Sequence, residues 1–285
     1  PDTRVSLVPD PGFTPKEEKA DGAPMTTLDP DVAAKGSANS WGLDRIDQRA
    51  LPLSGTYTPN PGVGGSGVDA YVIDTGLATQ HPEFQGRVGR GYDFVDNDSV
   101  PQECGSVPHG THVAGTIAST LFGVAPQSTI HGVRVLDCDG AGYVSDVIAG
   151  MNWVVGERSR IGRTVVANMS LGGGYNSALN AATANMMRAG VVTVSAAGNE
   201  GDDASYYSPG STPEAITVAA STSNDSDAYY SNYGSIIDLY APGSDIWSTY
   251  AYDPSQKYRL SGTSMATPHV AGWATLYLGL HPDAT

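Results

Sequence analysis

The sequence predicts an α/β protein, a parallel β-sheet flanked by helices in three layers, and three observations lead there. Five short β-branched segments are apolar on both faces, as strands covered from both sides must be. Stretches with helical spacing alternate with them, the pattern of right-handed crossover connections. A length of 285 residues with 40% hydrophobic content is enough for one large buried core.

The elements follow in order along the chain. Residues 1–40 carry Pro9, Pro11, Pro15, Pro24 and Pro30, a mixed charge run at Lys16-Glu17-Glu18-Lys19 and no sustained periodicity, so most of this stretch reads as linker. From Trp41 the texture changes to that of one globular domain. Strands are expected at Val68–Ile73, Thr129–Leu136, Thr164–Met169, Val191–Ala196 and Ile216–Ala219, and helices at His109–Ser119, Ser145–Val155, Ser177–Ala189 and Thr263–Leu280. There is no internal repeat and no GxGxxG or GxxxxGK[ST] loop, so no motif supports nucleotide binding.

Composition removes further classes. The 15 Lys+Arg against 30 Asp+Glu give a net charge of −15, and no basic cluster offers a track for nucleic-acid phosphates. The longest apolar stretch, Val270 to Leu280, has the length of a core helix and not of a membrane span. Charged residues are only 16% and glycines number 35, which suits short turns and an exported enzyme.

In open α/β sheets, reactive groups gather where strands end and helices begin. Three segments fit. Tyr71-Val72-Ile73-Asp74-Thr75-Gly76 ends an apolar strand in a carboxylate; alone, that is also a turn or helix cap. His109-Gly110-Thr111-His112 opens a helix with two histidines three apart; alone, that could be a metal pair. Ser261-Gly262-Thr263-Ser264-Met265-Ala266 sets a serine at the start of an apolar helix, where an N-cap would also be. The three stand in the order Asp, His, Ser, one of the known orders of the serine-protease triad.

With Ser170-Leu171-Gly172-Gly173-Gly174-Tyr175, Ala196-Ala197-Gly198-Asn199, Ser231-Asn232-Tyr233-Gly234-Ser235 and Ala241-Pro242-Gly243, the chain from about Trp41 resembles the subtilisin-like serine proteases, most closely the proteinase K branch. The resemblance implies Ser264 as nucleophile, His109 as general base, Asp74 as its orienting carboxylate, and an oxyanion hole from the Asn199 amide and the nucleophile's own N–H. His112 is then a packed helix residue. An extended polypeptide substrate would lie between two edges, Gly140-Ala141-Gly142 and Ser170-Leu171-Gly172. Ala196, Ala197, Gly198 and the Gly172–Gly174 run would form a roomy, neutral S1 pocket that prefers aromatic or large aliphatic P1 residues.

The same resemblance implies a Cys104–Cys138 disulfide, an oxidising extracellular location, a monomer, structural Ca²⁺ and no organic cofactor. Three calcium sites are expected. One comprises Asp93, Asp98, the Val100 carbonyl and Gln102; another, the Pro213 and Ala215 carbonyls with Asp238; the last, Asp44, Asp47 and Gln48. Residues 1–7 resemble the tail of an inhibitory pro-segment, residues 8–40 a linker and maturation region, and residues 41–285 a catalytic domain that stops before the last elements of the family fold. Ser106-Val107-Pro108 stands before His109 where relatives usually have Asn-Gly. A binding protein on this fold with a blocked cleft is the rival reading, opposed by the four intact catalytic positions. An α/β-hydrolase esterase would need G-x-S-x-G, and the chain has Gly262-Thr263-Ser264-Met265-Ala266 instead. Cleavage after basic pairs is disfavoured by the neutral S1 walls.

Overall fold

The computed structural model describes residues 2–7, 16–19, 38–57 and 64–284. Two short strands, β1 (Arg4–Ser6) and β2 (Lys16–Lys19), precede helix α1 (Trp41–Ile46). Next come β3 (Asp69–Asp74), β4 (Tyr92–Asp93), α2 (His109–Ala118), β5 (Thr129–Arg134), β6 (Ala141–Tyr143) and α3 (Val144–Ile161). The chain continues through β7 (Val165–Met169), β8 (Gly173–Gly174), α4 (Ser177–Arg188), β9 (Val191–Ala196), β10 (Tyr207–Ser208) and β11 (Ile216–Ser221). It closes with β12 (Leu239–Pro242), β13 (Ile246–Thr249), β14 (Gln256–Leu260) and α5 (Thr263–Leu280).

The five predicted strands are the centre of a seven-stranded sheet of order β12-β11-β9-β7-β3-β5-β4, with every neighbouring pair parallel. β3 and β7 are buried at every residue, which explains why Ala70–Ile73 and Val165–Ala167 are apolar on both faces. Period-2 alternation divides the side chains between two layers. Ala70, Val72, Val166 and Val194 pack with Val113 and Ile117 of α2 and Met265 of α5. Tyr71, Ile73, Val165 and Ala167 face the opposite layer with Val147 and Met151 of α3 and Leu179 of α4. Each such side chain contributes about 1.5–3 kcal/mol of burial.

Two elements depart from the sequence reading. Helix α3 runs past Val155 to Ile161, because Glu157 is buried against Arg90 and Arg160 on its polar side. It stops at Gly162, whose positive φ of 79° turns its N–H back to the Arg158 carbonyl. Within the stretch read as linker, β2 is a strand. Its backbone pairs antiparallel with β14, extending the β13–β14 hairpin to three strands.

Candidate active site

Asp74 ends β3 with no solvent exposure, and His109 opens α2 at 4% exposure. Their side chains meet, His109 Nδ1 to Asp74 Oδ1 at 2.8 Å, while the same oxygen accepts the Thr75 N–H at 2.7 Å. A carboxylate only accepts, so Nδ1 carries the proton and Nε2 keeps the lone pair of a base. The helix can approach β3 this closely because residue 110 is glycine; a Cβ there would collide with the Gly76 carbonyl. Three further bonds hold the approach. The Gly110 N–H donates to Thr75 Oγ1 at 2.9 Å, and that hydroxyl donates to Glu103 Oε1 at 2.8 Å, while Glu103 Oε2 accepts the Thr111 N–H at 2.6 Å. Burial pushes the Glu103 carboxyl upward against these donors. No sequence motif marks Glu103.

Ser264 is the second residue of α5, held in place through the helix's own proline. Pro268 lacks the N–H that would bond the carbonyl four residues back, which is that of Ser264. The freed carbonyl accepts the Ser170 hydroxyl at 2.8 Å, and Ser264 Oγ donates in return to the Ser170 carbonyl at 3.0 Å. The Ser264 hydroxyl thus turns to Ser170 and not to His109. Both side chains line one cavity of about 290 Å³. Asn199 Oδ1 accepts the N–H and the hydroxyl of Thr263, each at 2.8 Å. That fixes Nδ2 as the donor end of the amide, close to the Ser264 N–H in the first turn of α5.

The edges expected to hold substrate flank a strand of the chain itself. β1 pairs antiparallel with β6, Val5 opposite Gly142 and Ser6 opposite Ala141. The Leu7 N–H donates to the Gly140 carbonyl at 2.8 Å. On the other side Ser6 and Gly172 exchange both backbone bonds, at 3.0 and 3.2 Å. Leu171, Gly172, Ala196 and Gly198 border a slot beside Ser264, together with Tyr207 and Glu200. The Glu200 carboxylate makes this wall less neutral than the small residues alone imply. Asn232 braces this wall. Its Oδ1 accepts the N–H groups of Glu200 and Asp202, and its Nδ2 donates to the Ala197 carbonyl and Glu200 Oε2. A larger depression of about 670 Å³ lies elsewhere, beside α1, β12 and α5, and shares no residue with Asp74, His109, Ser264 or Asn199.

A sequence profile described as the Subtilase family matches residues 65–285. The chain belongs to the subtilase family. It is 52% identical over 249 residues to an extracellular serine proteinase of Thermus sp. (strain Rt41A), covering 87% of this chain and 59% of that protein. It is 51% identical over 256 residues to alkaline serine exoprotease A of Vibrio alginolyticus, covering 89% and 46%. The chain therefore spans about half the length of these curated relatives. The crystal structure of a cold-adapted subtilisin-like serine proteinase superposes with a TM-score of 0.81 at 51% identity, covering 86% of each chain. In this subtilase Cys104 and Cys138 are joined by a disulfide, 34 residues apart in sequence.

The three acidic sets expected to bind calcium differ in what already occupies them. Asp93 gives one oxygen to the Val95 and Asp96 N–H groups and the other to Arg134, which also bonds Asp96, while Asp98 accepts the Val100 N–H. Arg134 thereby places a cation against Asp93 and Asp96. Asp44 spends both oxygens on Ser54 and Gly55, and the Gln48 amide donates to the Ala50 and Pro52 carbonyls. These bonds fold the 44–55 loop. Asp238 differs. One oxygen accepts the N–H of Thr217, two residues past Ala215, and a carboxylate with the Pro213 and Ala215 carbonyls is the hard-oxygen chemistry that Ca²⁺ takes. Among the described residues no three His, Cys, Asp or Glu side chains converge as a metal group, and Asp238 with two carbonyls is not such a group.

Proposed function

We propose that the chain is a secreted serine endopeptidase that cleaves polypeptides through an acyl-enzyme on Ser264. The observation that carries this is the convergence of the Asp74–His109 pair, Ser264 and Asn199 at one end of the sheet, beside a groove whose two edges already bond an extended strand. His109 Nε2 takes the proton of Ser264 Oγ as the oxygen attacks the substrate carbonyl, and Asp74 stabilises the imidazolium. Asn199 Nδ2 and the Ser264 N–H receive the developing oxyanion. The imidazolium then returns its proton to the leaving amine, and water releases the acyl group. Backbone pairing along 140–142 and 170–172 gives affinity with little sequence demand. Apolar or aromatic side chains at P1 suit the apolar walls of the slot.

Residues 1–7 act in this reading as the tail of an inhibitory pro-segment, residues 8–40 as the maturation region and residues 41–285 as the catalytic domain. The support is β1 itself, which fills the groove in the manner of a substrate. The test is hydrolysis of a chromogenic peptide with Phe at P1 by the chain and by Ser264→Ala, with N-terminal sequencing of both. The expected result is activity and loss of Pro1 in the parent, and an inert, uncut variant. A parent that is folded, free of its N-terminal segment and still inert would overturn the proposal.

Calcium enters as a structural ion, held by Asp238 with the Pro213 and Ala215 carbonyls, clamping the turn to β12. Calcium at the Asp93 loop would have to displace Arg134. Saturating Ca²⁺ should raise the thermal midpoint above that measured in chelator, by mass action on the folded state. Asp238→Ala should remove the difference. An equal midpoint with and without the ion in the parent chain rules the site out.

A further inference from the structure

His109 and Ser264 arrive on different elements, and their separation has to be set by something other than a bond between them. Besides the direct packing of α2 on α5, the β13–β14 hairpin is joined to both. β14 ends at Leu260, four residues before Ser264, and the hairpin lies against the helix that begins with His109. His112, one turn along α2, is fully buried. Its Nε2 lies 3.1 Å from the Ile246 carbonyl and 3.0 Å from the Tyr258 carbonyl, one on each strand of the hairpin. Both partners only accept, so Nε2 bears the proton and one N–H is shared between the two strands. Nδ1 is buried without a partner, as an unprotonated nitrogen in an apolar setting can be. Burial, and secondarily the neighbouring His109, push the imidazole down to about 3, so it is neutral at working pH.

The hairpin answers with two bonds of its own. Ser248 Oγ donates to the His112 carbonyl at 2.7 Å and Thr249 Oγ1 to the Thr111 carbonyl at 2.8 Å. Gly115 makes room for them, since a Cβ there would run into both hydroxyls. Four hydrogen bonds therefore rivet the hairpin to the first two turns of α2, and His112 is the only one of these side chains that reaches both strands.

We propose that His112 is a positioning residue, which clamps β13 and β14 to α2 and thereby sets the distance between His109 and Ser264. The proposal rests on the endopeptidase reading for its kinetic consequence but not for its structural one, and the test separates the two. Three forms of the full chain are compared: the parent, His112→Gln and His112→Leu. A glutamine amide can donate to both carbonyls; leucine can donate to neither. His112→Leu is expected to lower kcat on the chromogenic peptide by roughly 10- to 100-fold with KM within about threefold, and His112→Gln to recover most of that loss. Independently of activity, the low-field proton of the Asp74–His109 bond is followed by NMR. It should broaden or vanish in His112→Leu and persist in His112→Gln. If the parent is inert while the NMR pattern holds, the endopeptidase reading fails and the clamp stands. A folded His112→Leu with parental kcat and an unchanged proton resonance overturns the clamp. Should His112→Leu not fold, the Ser248→Ala/Thr249→Ala pair removes the hairpin's own two bonds, and parental kcat and resonance in that variant overturn it equally.

Discussion

Pro268 shows how a residue that reads as a defect can serve the site. A proline inside a helix costs a hydrogen bond, and here the lost bond frees the Ser264 carbonyl for the Ser170 hydroxyl. The residues with a fixed pattern were legible in the sequence. Asp74 ends an apolar strand, His109 and Ser264 open helices, and Asn199 follows a glycine after a strand. Their supports Glu103 and Glu200 were not, and Asn232 stood in the Ser231–Ser235 motif without a role, because one polar residue in a loop carries no periodicity and partners such as Thr75 for Glu103 and Asn232 for Glu200 lie 28 and 32 positions away. Glu200 changes the specificity argument. Its carboxylate borders the slot beside Ser264 and is oriented by Asn232, so the wall is not purely neutral as the small residues alone implied. Glu200→Gln keeps the bond to Asn232 and removes the charge. It is expected to lower kcat/KM for a P1 Lys peptide by roughly 3- to 10-fold relative to P1 Phe, equal to about 1 kcal/mol for a partly solvated charge pair. An unchanged Lys-to-Phe ratio would place Glu200 outside substrate contact.

Among elements, the long both-face-apolar strands and the apolar helices were readable, whereas the β13–β14 hairpin was not. Its strands are short, β14 reads Gln-Lys-Tyr-Arg-Leu, and its place is fixed by bonds to α2 that no local pattern encodes. The same holds for β1 and β2, which are strands only because β6 and β14 offer them an edge. The loop from Cys104 to Cys138 is an element of another kind, since it spans α2 and β5 and carries His109. Closing a loop of that length stabilises by about 3–4 kcal/mol in the chain-entropy account. Cys104→Ala/Cys138→Ala should therefore lower the thermal midpoint by roughly 10 °C. Calorimetry of the two forms measures it, and an unchanged midpoint would mean that α2 and β5 are held by packing alone.

At the scale of the whole molecule, burial of titratable groups decides how the fold meets acid. His112, His269 and His81 lie inside the protein, and burial is the first cause that lowers each, to about 3, about 4 and about 4 from an ordinary 6.5. Backbone carbonyls of Ile246, Tyr258 and Met265 oppose the shift at the first two without cancelling it. In the unfolded chain all three take up protons as pH falls through 6.5; in the folded chain they do not until about 4 or below. Between those limits the unfolded state binds more protons, so stability is fully present above pH 6.5 and falls as the solution is acidified. Three sites give a slope of up to about 4 kcal/mol per pH unit near pH 5. Glu83 and Glu103 act in the opposite sense. Burial raises both above 4.5, so the folded state holds their protons longer, and they reduce the slope in the lower part of the window. Urea unfolding at intervals from pH 7.5 to 4.5 should show stability level above pH 7 and dropping steeply below 6.5, a fall that His269→Gln makes shallower. Stability that stays flat down to pH 5 would require these histidines to be protonated inside the fold, which the orphaned Nδ1 of His112 and Nε2 of His269 give no means to satisfy.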